Sequence, residues 1–463
     1  MLTDISKIKF RDTILGTLGN TPLVRLNKVV KGFKGHYFAK VEFFNPGSSV
    51  KDRIGLDIVE EAEREGRLRP GGTIVEATSG NTGLGLAIVA AVKGYKCVFT
   101  MPDKMSIEKI RLLRAFGADV IVTPTAVAHD SPESYTEVAK RVVRETPNSI
   151  LANQYFNVKN PESHYRTTGP EIWEQTGGQV DYLVIAVGTG GTISGAGKFL
   201  KEKNPAVKVV GIDPKGSILR EYFYTKKFSP VFKTYKVEGI GQDWIPGVLN
   251  FEYIDEMIEV TDKESFLMAR RLTREEGIFV GGSAGTAMVG AMKIADRMKD
   301  KEVMVVLFPD TGERYLSKVY NDDWMRENGF LMPEKITVRF VLQGKAKTIP
   351  ALLSVDPTTT VRKALDLIKE NDVSQLPVID SKGKAVGSLE DGVLMSAVLE
   401  NNSVLDAPVS QLMRKMYPVI GADAPIEHAI DLLTKKHPAV LVEDEHKTVG
   451  ILTRYDVIEY MSR

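Results

Sequence analysis

Three short polar loops contain the residues of this chain whose types and spacing are best suited to chemistry. The first, the lysine loop (Asn45 to Arg53, NPGSSVKDR), places Lys51 where a turn gives way to an amphipathic stretch. A lysine amine acts as a nucleophile or forms a Schiff base only when its pKa is lowered. A solvated lysine at a helix start is the commoner arrangement, so Lys51 becomes a candidate Schiff-base amine only in combination with the other two loops.

The second, the hydroxyl loop (Ala77 to Gly83, ATSGNTG), follows a β-branched run and opens a helical stretch. Hydroxyl groups and free backbone amides at a helix start favour an anion. Six of the seven residues are Ser, Thr, Asn or Gly, which is more than one helix cap requires. The loop therefore predicts an anion site, with an ordinary N-cap as the alternative.

The third, the glycine loop (Gly188 to Thr192, GTGGT), also lies between a strand-like run and an amphipathic stretch. Glycines let backbone amides approach a phosphate, and the threonine hydroxyls add donors. The loop lacks the lysine of a Walker A motif and is not GxGxxG, so a monophosphate fits it better than a nucleotide. A glycine-rich turn without function is the alternative.

The elements that must position these loops alternate along the chain. Short β-branched runs and amphipathic stretches succeed one another over residues 73–308, with strand-like runs at 73–75, 97–100, 120–122, 182–187, 209–212 and 303–308. This alternation predicts α/β layering around a largely parallel sheet. Ligands bind beyond the carboxyl ends of the strands in such sheets, which is where the hydroxyl and glycine loops fall.

The three loops together, in this order, resemble the signature of the fold-type II (tryptophan synthase β-like) pyridoxal-phosphate enzymes, the cysteine synthase and cystathionine β-synthase group. The similarity extends from about Gly19 to Gly312. It implies that Lys51 holds pyridoxal 5'-phosphate and acts as the catalytic base, and that the hydroxyl loop binds the substrate carboxylate. The cofactor-binding residues it implies are Lys51, Asn81, Gly188, Thr189, Gly190, Gly191, Thr192 and Ser283, and the substrate-binding residues are Thr78, Ser79, Asn81, Thr82, Gln154, Gly239 and Gln242.

Several stretches resemble cystathionine β-synthases more closely than cysteine synthases, among them residues 101–106, 125–135 and 239–246. This implies condensation of L-serine with L-homocysteine to L-cystathionine and water, with hydrogen sulfide production from cysteine and homocysteine as a further activity. Gln242 departs from the animal and yeast forms, which carry a tyrosine there. O-acetylserine sulfhydrylase is therefore the alternative activity, and an inactive adenosyl sensor on an enzyme scaffold is the alternative class.

The pattern changes near residue 330, so we predict a catalytic domain over 1–330 and a second domain over 331–463. The second part repeats itself, with Ala364 to Ile368 matching Ala429 to Leu433. It resembles an α+β tandem CBS (Bateman) module, which implies an adenosyl ligand: S-adenosylmethionine, or AMP or ATP. One site is expected, at Ala439, Val440, Thr453 and Asp456, because the first repeat carries Glu390 and Val393 at the corresponding positions. A module that only dimerises or packs is the alternative.

Composition narrows the class of protein further. The 61 Lys and Arg nearly cancel the 60 Asp and Glu, which gives no overall field for nucleic acid or an anionic membrane. The single cysteine, Cys97, excludes an intrachain disulfide, fits a cytoplasmic location and is expected to be a buried apolar side chain. No haem and no metal site are expected. Small-molecule amino acids are the expected partners, and the family resemblance implies a homodimer, with a tetramer as the alternative.

Overall fold

A computed structural model of the chain describes residues 9–78, 80–103, 105, 107–125, 127, 131–228, 233–332, 336–345, 352–434 and 437–461. The chain divides into two compact units, Met1–Leu331 and Met332–Arg463. Each unit has its own hydrophobic core.

The first unit contains two β-sheets. Its described strands are β1 (Leu23–Arg25), β2 (His36–Val41), β3 (Thr73–Ala77), β4 (Lys96–Pro102), β5 (Asp119–Thr123), β6 (Ser149–Leu151), β7 (Tyr182–Ala186), β8 (Lys208–Pro214), β9 (Glu256–Val260) and β10 (Val303–Phe308). One sheet has the order β1-β2-β10-β7-β8-β9, and the other has the order β5-β4-β3-β6. The β1-β2 pair is antiparallel, and all the other neighbouring pairs are parallel.

Helices connect and cover these strands, as parallel pairing requires. Those described are α1 (Lys51–Arg64), α2 (Asn81–Lys93), α3 (Ile107–Ala115), α4 (Tyr135–Glu145), α5 (Lys159–Arg166), α6 (Thr168–Gln175), α7 (Gly191–Lys203), α8 (Leu219–Thr225), α9 (Asp262–Arg271), α10 (Gly282–Ile294) and α11 (Asp322–Glu327). The three loops singled out in the sequence lead directly into α1, α2 and α7.

The α/β prediction is confirmed, and each of the six predicted strand-like runs overlaps a strand of the structure. The sequence pattern did not show that the strands form two sheets, or that residues 36–41 form the core strand β2. Lys40 conceals that strand, because a lysine at a fully buried position breaks the apolar pattern. Its ammonium donates to Glu171 Oε2 at 2.7 Å and to Thr21 O at 2.6 Å, which compensates for its burial.

The backbones of α1 and α2 touch at a pair of glycines. A Cβ added at Gly55 would lie 2.7 Å from the backbone carbon of Gly85, and one at Gly85 would lie 2.8 Å from Lys51 O. Larger side chains at either position would separate the helices. The contact therefore brings the start of α1, with Lys51, close to the helix that the hydroxyl loop opens.

One edge of the larger sheet is capped by a side chain. At the second residue of β9, the Met257 amide donates to the Tyr224 hydroxyl, and that hydroxyl donates to the Met257 carbonyl, both at 3.2 Å. A phenol on α8 therefore occupies one N–H and one C=O that the neighbouring strand leaves free.

The second unit shows the predicted duplication. Its described elements are α12 (Val338–Gln343), α13 (Val361–Glu370), β11 (Gln375–Ile379), β12 (Ala385–Glu390), α14 (Asp391–Glu400), β13 (Val419–Gly421), α15 (Ile426–Thr434), β14 (Ala439–Asp444), β15 (Lys447–Thr453) and α16 (Arg454–Met461). Each repeat runs helix, strand, strand, helix, and β13 adds a third, parallel strand to the second repeat. In the first repeat, an isolated parallel bridge between Val355 and Val378 takes the place of that strand.

Two further observations bear on the class of protein. Cys97 is 5% exposed, which confirms the predicted burial, and burial raises its pKa to about 12. None of the helices in the described parts of the chain is both long enough and apolar enough to cross a membrane.

Candidate active site

The lysine loop is held in place by the residue that follows its lysine. Asp52 accepts a hydrogen bond from Gly47 N at 2.7 Å and a longer one from Ser49 N at 3.4 Å. A Cβ at Gly47 would lie 2.5 Å from Asp52 Oδ1, so the turn requires glycine there. These contacts fix where α1 begins, and Lys51 is its first residue.

The surroundings of Lys51 favour the uncharged form of its amine. Burial lowers its pKa to about 8, and the nearby Asp310 carboxylate opposes the change. The structure gives the Lys51 amine no hydrogen-bond partner among the described residues. About a tenth of this amine is therefore unprotonated at pH 7, far more than for an ordinary lysine, and the unprotonated amine is the form that a nucleophile or general base requires.

The hydroxyl loop is tied to the segment that follows β10. Asn81 Nδ2 donates to Asp310 Oδ2 at 2.8 Å, and Tyr315 donates to the same oxygen at 2.6 Å. Arg314 donates to Asn81 Oδ1 and to Gly47 O, so its guanidinium joins the hydroxyl loop to the lysine loop. Asp310 Oδ1 is buried without a partner among the described residues. Sequence reasoning did not identify Asp310 or Arg314 as functional residues.

Two threonines of the hydroxyl loop shape the loop itself. Thr78 Oγ1 accepts hydrogen bonds from Gly80 N at 3.0 Å and Gly83 N at 3.3 Å. Thr82 donates to Gln154 Oε1 at 2.6 Å, and both side chains are buried. The structure therefore brings Gln154 to the hydroxyl loop, whereas Ser79 lies outside the described residues.

A buried carboxyl group positions Gln154. Glu76, at the carboxyl end of β3, accepts from Asn153 N at 2.6 Å and Gln154 N at 3.3 Å. Asn153 has a φ of 55°. Burial raises the pKa of Glu76 to about 8, although these two backbone bonds oppose the rise. Glu76 thus holds the turn that presents Gln154.

The glycine loop could not be built from larger residues. A Cβ at Gly188 would lie 2.4 Å from Gly239 O, and one at Gly191 would lie 1.9 Å from Asn160 Oδ1. Gly190 has a φ of +87° and would meet Leu249 at 2.5 Å. The loop is a cradle of small residues at the start of α7, which leaves the first helical amides available to an anion.

Asn160 links the glycine loop to the substrate side of the site. Its Nδ2 donates to Gln154 O at 2.7 Å and to Thr189 Oγ1 at 3.1 Å. The turn at Gly239 to Gly241 packs on the other side, where Gly241 N donates to Val187 O at 2.7 Å. The loop is thereby fixed from both sides before any ligand binds.

Ser283 and Gln242 complete the set of predicted residues in this unit. Ser283 is the second residue of α10 and is 4% exposed, and its hydroxyl has no hydrogen-bond partner in the described part of the chain. The Gln242 side chain hydrogen-bonds the phenol of Tyr155, whose ring packs 5.0 Å from that of Trp244.

The donor set fits pyridoxal 5'-phosphate. The site offers an unpartnered amine of lowered pKa, a glycine cradle with helix amides for a phosphate, and a nearly buried Ser283 hydroxyl that still lacks a partner. A carbonyl compound bearing a monophosphate and a ring nitrogen would satisfy each of these groups. Across the described residues, no group of three or more His, Cys, Asp or Glu side chains is arranged to hold a metal ion.

In the second unit, the four residues predicted for the adenosyl site lie close together. Ala439 and Val440 are fully buried in β14, and Ala439 pairs with Thr453 across the β14-β15 ladder. Asp456 Oδ2 accepts from Thr453 N and Thr453 Oγ1, both at 2.7 Å. The Lys345 ammonium lies 3.3 Å from the same oxygen, and the two side chains are only 13% and 8% exposed. Sequence reasoning did not predict Lys345.

Comparisons with known proteins agree with this geometry. A family model described as "Pyridoxal-phosphate dependent enzyme" matches residues 14–310, and a CBS domain model matches residues 347–400 and 409–463. The chain is 42% identical to a cystathionine beta-synthase of Dictyostelium discoideum, over 98% of this chain and 92% of the relative. It is 36% identical to a cystathionine beta-synthase of Saccharomyces cerevisiae, over 98% of each chain.

Solved structures resemble about two thirds of the chain. A hydrogen sulfide-producing enzyme from Fusobacterium nucleatum is 37% identical with a TM-score of 0.62, over 66% of this chain and all of that one. An O-ureido-L-serine synthase is 36% identical with a TM-score of 0.62, over 69% of this chain and all of that one. The predicted family and fold are therefore confirmed: the chain belongs to the cystathionine β-synthase family of pyridoxal-phosphate-dependent enzymes, and it contains a tandem pair of CBS domains.

Proposed function

We propose that this chain condenses L-serine with L-homocysteine to give L-cystathionine and water. The similarity to cystathionine β-synthases along almost the whole of both chains is the observation that carries the proposal. The lowered pKa of the Lys51 amine and the anion-binding character of the two helix-opening loops support it.

Pyridoxal phosphate, when bound, withdraws electrons from the amino acid, so that the α-proton becomes acidic and the β-substituent can leave. Lys51 would hold the cofactor through its amine, Asn81 would face the ring hydroxyl and Ser283 the ring nitrogen. Gly188, Thr189, Gly190, Gly191 and Thr192 would hold the phosphate through the amides at the start of α7. The Ser283 hydroxyl would be a neutral partner for the ring nitrogen, which would leave that nitrogen largely unprotonated and favour prompt loss of the β-substituent.

Lys51 has the properties of the base that removes the α-proton. The free amine can accept a proton near neutral pH because burial lowers its pKa to about 8. The protonated amine can then deliver a proton at Nζ to the departing serine hydroxyl. Asp310, whose charge favours the protonated form, limits how far the pKa falls.

The hydroxyl loop would bind the substrate carboxylate. Asn81 and Thr82 open α2, where backbone amides are free of helical acceptors, and Gln154 lies against Thr82 at 2.6 Å. Thr78 and Ser79 would complete the loop. Gly239 and Gln242 lie on the segment that packs against the glycine loop, and we assign them to the homocysteine side of the site.

The decisive experiment compares two substrate pairs. The purified enzyme is given L-serine with homocysteine, and O-acetylserine with sulfide, and kcat/KM is measured for cystathionine and for cysteine formation. The proposal expects the first pair to be preferred, and a preference for the second would make the chain an O-acetylserine sulfhydrylase. Lys51→Ala should lose both activities, and turnover at the parent rate would refute the role of Lys51.

O-acetylserine sulfhydrylase is the second candidate function. One observation favours it: the solved relatives include a hydrogen sulfide-producing enzyme and an O-ureido-L-serine synthase. The family resemblance adds that Gln242 stands where animal and yeast forms are expected to carry a tyrosine. Gln242→Tyr is the informative variant. If Gln242 relaxes homocysteine selectivity, this substitution lowers KM for homocysteine and leaves KM for serine unchanged.

We further propose one adenosyl site, in the second repeat, with S-adenosylmethionine as the ligand and AMP or ATP as alternatives. Asp456 could accept both ribose hydroxyls, and its pairing with Lys345 must be released for this to happen. Calorimetry on the full chain tests the site: Asp456→Asn should abolish the heat of binding, and Lys345→Met should increase affinity because no cation then competes for the carboxylate. If none of the three ligands gives heat in the parent, the site is refuted.

The family resemblance supports a homodimer, a cytoplasmic location and the absence of haem as further proposals. Analytical ultracentrifugation distinguishes dimer from tetramer, and a Soret absorbance band in the purified protein would contradict the last proposal. Production of hydrogen sulfide from cysteine and homocysteine is tested in the same assay as the condensation.

A further inference from the structure

A buried histidine connects two threonines next to the glycine loop. His164, on α5, lies 2.9 Å from Thr168 Oγ1 through Nδ1 and 3.2 Å from Thr192 Oγ1 through Nε2. His164 and Thr168 are fully buried, and Thr192 is 7% exposed. Thr192 belongs to the glycine loop, but neither His164 nor Thr168 belongs to any of the three sequence motifs.

Close contact between α5 and α7 sets this geometry. A Cβ at Gly195 would lie 2.0 Å from Pro161 O and 2.9 Å from the Cβ of His164. The two helices can approach so closely only because glycine occupies this position. The imidazole therefore has little freedom to leave Thr192.

The position of each proton follows from the partners available. Among the described residues, the Thr168 hydroxyl has no acceptor other than Nδ1 of His164. A buried hydroxyl group donates its proton wherever an acceptor is present. The Thr192 hydroxyl also has only the imidazole as an acceptor among the described residues, but it belongs to the glycine loop, where a bound phosphate would be a second acceptor. With the phosphate bound, all the hydroxyl protons are used when Thr168 donates to Nδ1, which places the imidazole proton on Nε2 and makes Nε2 a donor to Thr192 Oγ1.

This arrangement leaves the Thr192 hydroxyl proton free for a ligand. The Thr192 oxygen accepts from the imidazole, and its own proton has no acceptor in the described part of the chain. With the opposite tautomer, Nε2 would take the Thr192 proton, and this hydroxyl could no longer donate to an anion. Burial and the charges of Lys51 and Arg53 lower the pKa of His164 well below its usual value, which keeps the ring neutral.

We propose that His164 is a positioning residue for the cofactor phosphate: fixed in its Nε2–H tautomer by Thr168, it directs the Thr192 hydroxyl proton toward the phosphate in the glycine loop. This inference rests on the proposed cofactor site and adds to it a relay of three side chains. The relay explains why a neutral imidazole is buried beside a loop that receives a dianion.

The test uses a double-mutant cycle on the cofactor affinity of the full-length protein. Thr168→Val keeps the shape of Thr168 but removes its hydroxyl, and Thr192→Val removes the hydroxyl that the relay serves. Pyridoxal phosphate is titrated into the stripped protein, and the ³¹P resonance of the loaded protein is recorded. Circular dichroism of each stripped variant establishes that it is folded, and Thr168→Ser serves as the conservative replacement.

The relay predicts that Thr168→Val weakens pyridoxal phosphate binding about 10-fold and shifts the ³¹P resonance, because the phosphate loses a charge-assisted hydrogen bond. Thr168→Ser should restore both. In the Thr192→Val background, Thr168→Val should have no further effect on either measurement.

Two results would overturn the relay while leaving the proposed function intact. One is a parent-like dissociation constant and ³¹P resonance for Thr168→Val, and the other is the same loss in both backgrounds. If the parent protein itself fails to bind pyridoxal phosphate, the cofactor site and the relay are both refuted.

Discussion

In the cofactor-free protein, burial disfavours the protonated form of Lys51. Replacing Lys51 with an uncharged residue should therefore stabilise this form of the protein. Burial lowers its pKa from 10.5 to about 8 even though Asp310 opposes the change. Each tenfold change in the acid constant corresponds to about 1.4 kcal/mol. Protonated Lys51 therefore reduces the free energy of unfolding by about 3 kcal/mol at pH 7, and Lys51→Met should restore that amount.

The sign of the pH dependence is set by the direction of the pKa change. A lysine whose pKa is lowered in the folded state destabilises the protein most below that lowered value, and the penalty disappears as pH rises toward 10.5. The gain from Lys51→Met should therefore fall to about 1 kcal/mol at pH 9.5. A substitution that acted through packing alone would give the same gain at both values.

Tryptophan fluorescence reports the unfolding of the catalytic unit by itself, because the three tryptophans of the chain, Trp173, Trp244 and Trp324, all lie in the first unit. Stripped parent and Lys51→Met protein are unfolded in urea at pH 7 and pH 9.5. Lys301→Met, at an exposed turn, is the matched control and should change stability by less than about 0.5 kcal/mol. A Lys51→Met protein no more stable than the parent at pH 7 would refute the reasoning.

Three further predictions concern the loops and the core. Gly191→Ala places a methyl group 1.9 Å from Asn160 Oδ1 and must displace the Asn160 side chain, which links the glycine loop to Gln154. The affinity for pyridoxal phosphate should therefore fall about 10-fold. Gly197→Ala is the control and should have little effect, because the added methyl group would lie 3.3 Å from its nearest neighbour. Arg314→Met removes the donor shared by the lysine and hydroxyl loops and should lower kcat/KM for serine 10- to 100-fold, and a parent-like value would contradict its role. Cys97, 5% exposed with its pKa raised to about 12, should react with a thiol reagent at pH 8 only after denaturant is added.

Local sequence patterns predicted a structural element correctly where the residues that define the element are consecutive in the chain. The six β-branched runs predicted strands because their apolar side chains are consecutive, and each helix-opening loop was visible because glycine and hydroxyl residues cluster in it. The second unit was recognised from its repeat. Strand β2 was missed, because Lys40 is buried through partners more than 100 positions away in sequence, such as Glu171.

The same limit explains which site residues were missed. Asp310 and Arg314 become part of the site only through contacts with Asn81, 229 and 233 positions away. His164 reaches Thr192 only because α5 and α7 approach closely at Gly195. Pairing of this kind depends on the fold, and no spacing rule within a single motif predicts it.

The tyrosine at the edge of the larger sheet has a consequence for how copies of this chain can associate. A sheet edge with free N–H and C=O groups invites another strand to extend the sheet, which is a common route to aggregation. Tyr224 occupies the free amide and carbonyl of Met257 in β9, so a strand from a second copy could not complete its ladder there. Assembly at that edge would therefore have to rely on side-chain surfaces, and Tyr224→Phe should increase light scattering on prolonged storage.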